Sequence, residues 1–585
     1  MILKRITALV TALAALPLIG TAVYAERFSQ SFDMTGVKPN EEGSIVLEQE
    51  VPDGDYSVSI KTGGETQTNA NIFINGGERV RAYTLEAGDT QDNVEPVVPK
   101  DGKIRVEVKG ESPNVTEIEI EQLPDRIEKG DKPTIYIAGD STAQTYDYKK
   151  AYPQTGWGQV LADYFTDGVI VENRAMGGRS SKSFDNDGRL DAILTQLKPG
   201  DYVFIQFGIN DGAQDKPERY ISVPDYKELI TDKYIAEVEK RGGVPVLLTA
   251  TPASWWDEEN SCFMESRQDY AEPTREIAQE TGAELIDVNE RMTEEWKGLS
   301  KEAVLNGYFI CEPLESKAYP EGTDDHTHLK ETGARNVASV IVNAVKEEIP
   351  ELAQYVKEYT EFTDMEGHWA VHANSLKAAG LFKGVDGDRF MPDKEISRAE
   401  LLSMLMRVCN IPGHAYREGE CLDASEDDWY CYYLQSALDK GLIPDEMIAQ
   451  CEKQAVTKTL AEASDDKAAV TVDIDIYNGS FSGDEEITRE EAAALAVRCA
   501  EYAIENSGQA DKEMDMRSDE AEFSDESKIS SSYIDAVNKA YAYNIINGMG
   551  DGSFRPDETL TRAQASSIVW NVLSVYLFFG GVSNI

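Results

Sequence analysis

The spacing of apolar positions changes twice along the chain. Over 27–123 the period is two: Tyr56-Ser57-Val58-Ser59-Ile60, Ile72-Phe73-Ile74 and Ile104-Arg105-Val106-Glu107-Val108 read as strands, with turns at Asp53-Gly54 and Asn75-Gly76-Gly77. Short strands with frequent turns predict a small β-sandwich. A charged, turn-rich stretch at 124–133 reads as a linker. Beyond it, solid apolar runs at 135–138, 169–171, 203–207 and 244–248 alternate with amphipathic stretches at 157–165, 190–197, 226–241 and 267–282. That alternation predicts a parallel sheet with helices on both faces, and such sheets bind ligands at the carboxyl ends of their strands.

Near 361 the pattern changes again, to an internal repeat. One copy runs from Phe362-Thr363-Asp364 through Asp386-Gly387-Asp388-Arg389-Phe390 to Ser397-Arg398-Ala399-Glu400. The last copy runs from Phe523-Ser524-Asp525 through Gly550-Asp551-Gly552-Ser553-Phe554 to Thr561-Arg562-Ala563-Gln564. A degenerate middle copy keeps Trp429-Tyr430, Gly441-Leu442-Ile443 and Thr488-Arg489-Glu490-Glu491, and its acidic stretch 444–477 reads as an irregular insertion. Each copy predicts two helices around a Gly-rich loop, the second helix opened by a Ser or Thr cap. The expected division is a leader at 1–25, a β domain at 26–127, an α/β domain at 131–356, and repeats at 361–415, 420–505 and 521–585.

Composition narrows the partners. The 585 residues carry 56 Lys+Arg against 106 Asp+Glu, a formal charge of −50, which repels phosphate backbones and argues against nucleic acid. At the start, Lys4 and Arg5 precede an apolar stretch that ends in Val23-Tyr24-Ala25. This reads as a secretory signal cut before Glu26, with an uncleaved anchor helix as the alternative. No later run has the roughly 18 apolar residues of a membrane span. Seven cysteines, an odd number without a Cys-x-x-Cys pair, leave at least one thiol unpaired in an exported monomer. Cys262 and Cys311 could form a bridge, and free thiols are an equal reading. No metal or other cofactor is expected.

Four segments carry chemistry: Gly139-Asp140-Ser141, Gly177-Gly178-Arg179-Ser180, Gly208-Ile209-Asn210-Asp211 and Asp325-His326-Thr327-His328. A serine hydroxyl needs a base to take its proton, and the α/β region has only His326 and His328. Asp325-x-x-His328 can bring a carboxylate under an imidazole within one turn. Asp324 is a rival orienter, and His326 is the weaker base because Asp325 adjoins it. Ser141 N–H, Gly178 N–H and the Asn210 amide supply oxyanion donors. The expected catalytic group is therefore Ser141, Asp325 and His328, which points to hydrolysis of an ester. Trp255-Trp256 could stack on a sugar. Arg174, Arg179, Lys182 and Arg189 form a locally basic stretch able to receive a uronate carboxylate.

These four segments resemble the blocks of the SGNH (GDSL-type) hydrolase superfamily. Gly139-Asp140-Ser141-Thr142-Ala143, the stretch from Asn173 to Ser181 and Thr327-His328-Leu329 most resemble rhamnogalacturonan acetylesterase-like carbohydrate esterases. The resemblance implies a flavodoxin-like three-layer fold and deacetylation through an acyl-enzyme. Ile209 departs from it, since related esterases often carry a polar residue there. The repeats resemble S-layer homology (SLH) modules, which implies a three-repeat, mostly helical bundle binding secondary cell-wall polymer, with Arg398, Arg489 and Arg562 at the polymer-gripping positions. Together these imply a secreted esterase on the wall or S-layer of a Gram-positive-type bacterium, acting on an acetylated polysaccharide, pectic rhamnogalacturonan first and xylan second. The alternatives are a non-catalytic surface protein and a lipase or thioesterase of the same fold.

Overall fold

The structure, a computed structural model, describes residues 27–581 apart from 127, 386–387, 463–467, 513, 515 and 518–520. The expected leader and Asp386-Gly387 of the first repeat lie outside the described residues. The chain forms two compact units divided between Asp125 and Arg126.

The first unit holds eight antiparallel strands: Ser29–Asp33, Ser44–Glu50, Tyr56–Gly63, Thr68–Ile74, Gly77–Leu85, Thr90–Val97, Lys103–Ser112 and Val115–Gln122. In sequence numbering, one sheet has the order 1-8-3-6 and the other 2-7-4-5. Alternation explains the pairing. Tyr56, Val58 and Ile60 turn inward, as do Ile104, Val106 and Val108, and they share one core. A one-residue slip would exchange these residues for Ser57, Ser59, Arg105 and Glu107.

The second unit contains a five-stranded parallel sheet of Thr134–Gly139, Ile170–Asn173, Tyr202–Gln206, Val244–Leu248 and Glu284–Ile286. Their spatial order is second, first, third, fourth, fifth, the arrangement of doubly wound sheets. The fifth strand, only three residues long, has too little periodicity to stand out in the sequence. One face of the sheet buries Ile135, Ile137 and Phe204 beneath the helix Glu331–Glu348. Val203, Ile205 and Phe207 face the other way, where Phe207 meets Phe184 and Tyr234 at ring distances of 5.3 and 5.7 Å.

The repeats close into a three-membered ring. Ile396 N–H donates to Leu560 O, Leu560 N–H to Ile487 O, and Ile487 N–H to Ile396 O, at 3.0, 3.1 and 3.1 Å. The helices Arg398–Val408, Arg489–Glu505 and Arg562–Phe578 each begin in a reciprocal capping box, Ser397/Glu400, Thr488/Glu491 and Thr561/Gln564. In every repeat one aspartate accepts two backbone N–H bonds from the loop: Asp364 from Phe390 and Met391, Asp423 from Phe481 and Ser482, Asp525 from Phe554 and Arg555. Asp423 completes the middle copy in a way its sequence hid. The insertion expected to be irregular is a long antiparallel hairpin, Ala449–Ala461 paired with Val470–Ser480. Its β-branched alternation, as in Val470-Thr471-Val472-Asp473-Ile474, is the physical reason.

The ring packs on the α/β region inside one compact unit. Glu312 Oε1 accepts from Lys440 Nζ and lies 2.7 Å from His414 Nε2, whose Nδ1 is 2.6 Å from Asp439 Oδ2. Ala415 N–H donates to Leu314 O at 2.9 Å. Burial would raise the Glu312 carboxyl, but His414 and Lys440 outweigh it and hold it at about 2. Among the described residues no helix is long and apolar enough to cross a membrane.

Lys440→Met should lower unfolding stability by about 2–3 kcal/mol, below the range for a fully buried pair because Glu312 is partly exposed. Because the folded carboxyl lies below the unfolded value of 4.5, its contribution should be complete above that pH and disappear as pH falls toward about 2. Urea denaturation of both proteins at several pH values measures this.

Candidate active site

The strand Thr134–Gly139 ends in a turn that carries Ser141. Asp140, fully buried, accepts from Thr142 N–H and Oγ1 at 2.9 and 2.8 Å, and its carbonyl accepts from the N–H groups of Ala143 and Gln144. Tyr146 OH donates to Ser141 O at 2.7 Å. Beneath the turn, Gln206 takes Trp157 Nε1–H at 2.7 Å and donates to Thr249 O at 3.0 Å.

Asp325 lies in the loop that enters the helix Glu331–Glu348. Asp325 Oδ1 accepts from the N–H groups of Thr327 and His328, both at 2.8 Å, which leaves Oδ2 2.7 Å from His328 Nδ1. His328 Nε2 is 2.9 Å from Ser141 Oγ. Burial pushes the Asp325 carboxyl up, but the imidazole and two N–H groups override it and hold it at about 2. The same Asp325 hydrogen bond raises His328 above the ordinary imidazole value, against burial.

The other histidine is occupied elsewhere. His326 Nδ1 lies 3.1 Å from Ser254 Oγ, and its Nε2 is 3.3 Å from Asp324 Oδ1. The alternatives therefore separate: Asp324 meets His326, and Asp325 meets His328.

Gly178 adopts φ +72°, in the left-handed region. A Cβ placed on its neighbour Gly177 would lie 3.7 Å from Ser141 Cβ and 2.6 Å from Gln144 Oε1, so this turn rests against the serine. Asn210 Nδ2 donates to Arg179 O at 3.0 Å, tying the third segment to the second, and an amide nitrogen has a second N–H to offer. Asp211, fully buried, accepts from Ser181 N–H at 2.9 Å and Ser181 Oγ on one oxygen, and from Gly208 N–H at 2.9 Å on the other. Burial pushes its carboxyl up to about 6.

Sequence reasoning placed Asn210-Asp211 at a strand end but missed the tie Asp211 makes. Gln144 and Tyr146 were also missed. Their only signal was closeness in sequence to Ser141.

The expected sugar contacts divide. Trp255 is 45% exposed and lies over the Arg267 guanidinium at 5.0 Å. Arg267 in turn donates to Thr327 Oγ1 at 3.0 Å, beside the imidazole. Trp256 instead packs edge-on against Phe263 at 4.8 Å. Arg179 is held by Asp187 at 2.6 Å and by Gly177 O at 3.2 Å, so a ligand would have to share it with these partners. Arg174 pairs with Glu172, and Lys182 donates to the carbonyls of Pro217 and Tyr220. All seven cysteines are free, Cys262 exposed and Cys311 buried, so no bridge joins them. Among the described residues no group of three His, Cys, Asp or Glu could hold a metal ion.

A model of the GDSL-like lipase/acylhydrolase family matches residues 137–335. Over 214 residues the chain is 37% identical to the "Probable rhamnogalacturonan acetylesterase YesY" of Bacillus subtilis (strain 168), which covers 36% of this chain and 92% of that protein. The chain belongs to the GDSL-like lipase/acylhydrolase family. The esterase is also 32% identical over 213 residues to the rhamnogalacturonan acetylesterase RhgT of Bacillus subtilis (strain 168), covering 36% of this chain and 89% of that one. A rhamnogalacturonan acetylesterase of Emericella nidulans is 31% identical over 237 residues, 36% of this chain and 84% of its own. Residues 361–402 and 522–566 match the S-layer homology domain. The protein is thus a serine esterase joined to S-layer homology domains, which indicate attachment at the cell surface.

The arginines that open the second helices occupy the joints between these repeats. Arg489 Nε donates to Phe554 O and Arg562 Nε to Phe390 O, both at 2.8 Å, each guanidinium lying over that phenylalanine ring. Arg398 donates to Phe481 O at 3.1 Å and pairs with Glu491. A polymer anion would have to share them with these partners.

With His328 as the expected base, which must be neutral to accept a proton, kcat/KM of the esterase should rise with pH along a limb centred above 6.5, the unperturbed His328 value. Asp325→Asn should move that limb downward, because it removes the main cause of the raised value. It should also reduce kcat roughly 10⁴-fold through loss of the oriented tautomer. A pH–rate profile with an aryl acetate reads both effects.

Proposed function

We propose that this protein removes O-acetyl groups from a plant cell-wall polysaccharide, acetylated rhamnogalacturonan before xylan, while held on the cell wall through its repeats. The observation that carries the chemistry is the continuous line Asp325–His328–Ser141, with contacts of 2.7 and 2.9 Å. Ser141 Oγ attacks the acetyl carbonyl carbon as His328 Nε2 takes its proton. The carbonyl oxygen becomes an oxyanion and is met by Ser141 N–H, Gly178 N–H and the Asn210 amide. When the tetrahedral intermediate collapses, the bond to the sugar oxygen breaks, and that oxygen leaves with the proton from His328. Water, deprotonated by the same imidazole, then releases acetate and restores Ser141.

Support for the pectic substrate is the names borne by these three relatives, each matched over most of its own length. The S-layer homology domains support wall attachment, and the signal-like residues 4–25 support export. The grooves between repeats are the proposed polymer sites, with Arg398, Arg489 and Arg562 contributing from the joints.

Ser141→Ala should abolish acetate release from acetylated rhamnogalacturonan, xylan and chitin while leaving thermal unfolding unchanged. Asn210→Ala should cost roughly 10²–10³ in turnover. Full activity of the Ser141 variant would remove the proposed nucleophile.

The full chain should sediment with Gram-positive walls stripped of protein, and should stay in solution when the wall polymer has been extracted as well. Equal sedimentation in both cases would end the anchoring proposal.

A further inference from the structure

Beside Gly178 lies a cation that the basic stretch of the sequence did not include. Arg219 sits in the loop that follows Asp211. A Cβ placed on Gly178 would meet Arg219 Nη2, Cζ and Nη1 at 3.2, 3.4 and 3.5 Å, so the guanidinium lies broadside against that glycine. The turn it covers is the one that rests on Ser141. The loop carrying it is firmly tied. Arg219 N–H donates to Lys216 O and Ile221 N–H to Asp211 O, while Tyr270 OH bonds Asp211 O at 3.0 Å and Ile221 O at 2.6 Å. The cation is therefore positioned by the same segment that holds the Asn210 amide.

Its partners are few. Its ion pair is with the adjacent Glu218, at 3.7 Å through Nε, and Glu218 is more than half exposed. Three of the four cations in the basic stretch differ: Arg179 is bound by Asp187 and Gly177 O, Arg174 by Glu172, and Lys182 by two carbonyls; the fourth, Arg189, has its Nε buried without a partner. A guanidinium offers two parallel N–H groups to a carboxylate, a geometry neutral hydroxyls do not match. The setting gives this added weight. With a formal charge of −50, the protein repels a polyanionic substrate at long range, so an acidic polysaccharide needs a local cation at the reacting sugar.

Resting on the esterase reading above, we propose that Arg219 is a specificity-determining residue that receives the carboxylate of a uronate, on or beside the sugar bearing the acetyl group. It selects acidic acetylated polysaccharides over neutral ones. The bond-making steps are unchanged; Arg219 acts by fixing the polymer over the turn of Gly177 and Gly178.

The test uses the full-length protein and one acetylated pectic oligosaccharide in two forms, the free acid and its methyl ester. Wild-type enzyme should prefer the acid in kcat/KM by about tenfold or more, mainly through KM, as one charge-assisted pair predicts. Arg219→Gln should bring that ratio to near one, and Arg219→Lys should restore part of it. A wild-type ratio near one, or an Arg219→Gln variant that keeps the full preference, overturns the receptor and leaves the esterase reading standing. So does an equal loss on acid and ester alike, which would make Arg219 a prop for the glycine turn. A wild-type enzyme that releases no acetate from any polysaccharide overturns the esterase reading instead, and this inference with it.

Discussion

Two loops reach the carboxyl edge of the parallel sheet from different strands, and the buried carboxylate of Asp211 holds them together. One oxygen takes the N–H and hydroxyl of Ser181, at the start of the helix Ser181–Asn186, and the other takes Gly208 N–H. Its carbonyl meanwhile receives Tyr270 OH and Ile221 N–H. Buried donors deprived of such an acceptor cost about 1–3 kcal/mol each, so the arrangement strongly resists loosening. The turn of Gly177 and Gly178, the Asn210 amide and the Arg219 loop all inherit their positions from this one group.

The site also shows how two similar motifs acquire different fates. Asp324-Asp325 and His326-x-His328 offer several pairings on paper. Folding separates them because Asp325 Oδ1 is committed to two backbone N–H groups of its own turn. That leaves Oδ2 only one direction, toward His328 Nδ1. Asp324 then falls to His326, whose Nδ1 turns to Ser254.

Much of this was legible in the sequence, for a physical reason. Ser141, Gly178, Asn210 and His328 follow strand ends or open helices, and local patterning reveals those places. The strands at 135–138, 203–207 and 244–248 were visible because buried parallel strands are continuously apolar. Features built by distant contacts were not. Nothing local marks Arg219 as lying against Gly178, or Glu312 as the partner of His414 and Lys440. The hairpin in the middle repeat was hidden differently: acidic residues such as Glu452 and Asp473 masked an alternation that places them on exposed positions. Likewise Asp423 stands in Cys421-Leu422-Asp423, too unlike Phe362-Thr363-Asp364 to betray the same double bond to the loop backbone.

The ring of repeats and the α/β region belong to one compact unit. Here Glu312, Lys440, His414 and the Leu314–Ala415 bond fuse the ring to the segment that leads into Asp325. A wall-bound enzyme of this build has no leash. Its catalytic serine could not sweep through a volume around the anchor point, as a tethered enzyme does, but would patrol a fixed height above the cell surface. Polymer chains would have to come within that height. Such an enzyme would serve the cell pressed against its food, and its acetate and deacetylated chains would be released where that cell, rather than its neighbours, is first to meet them.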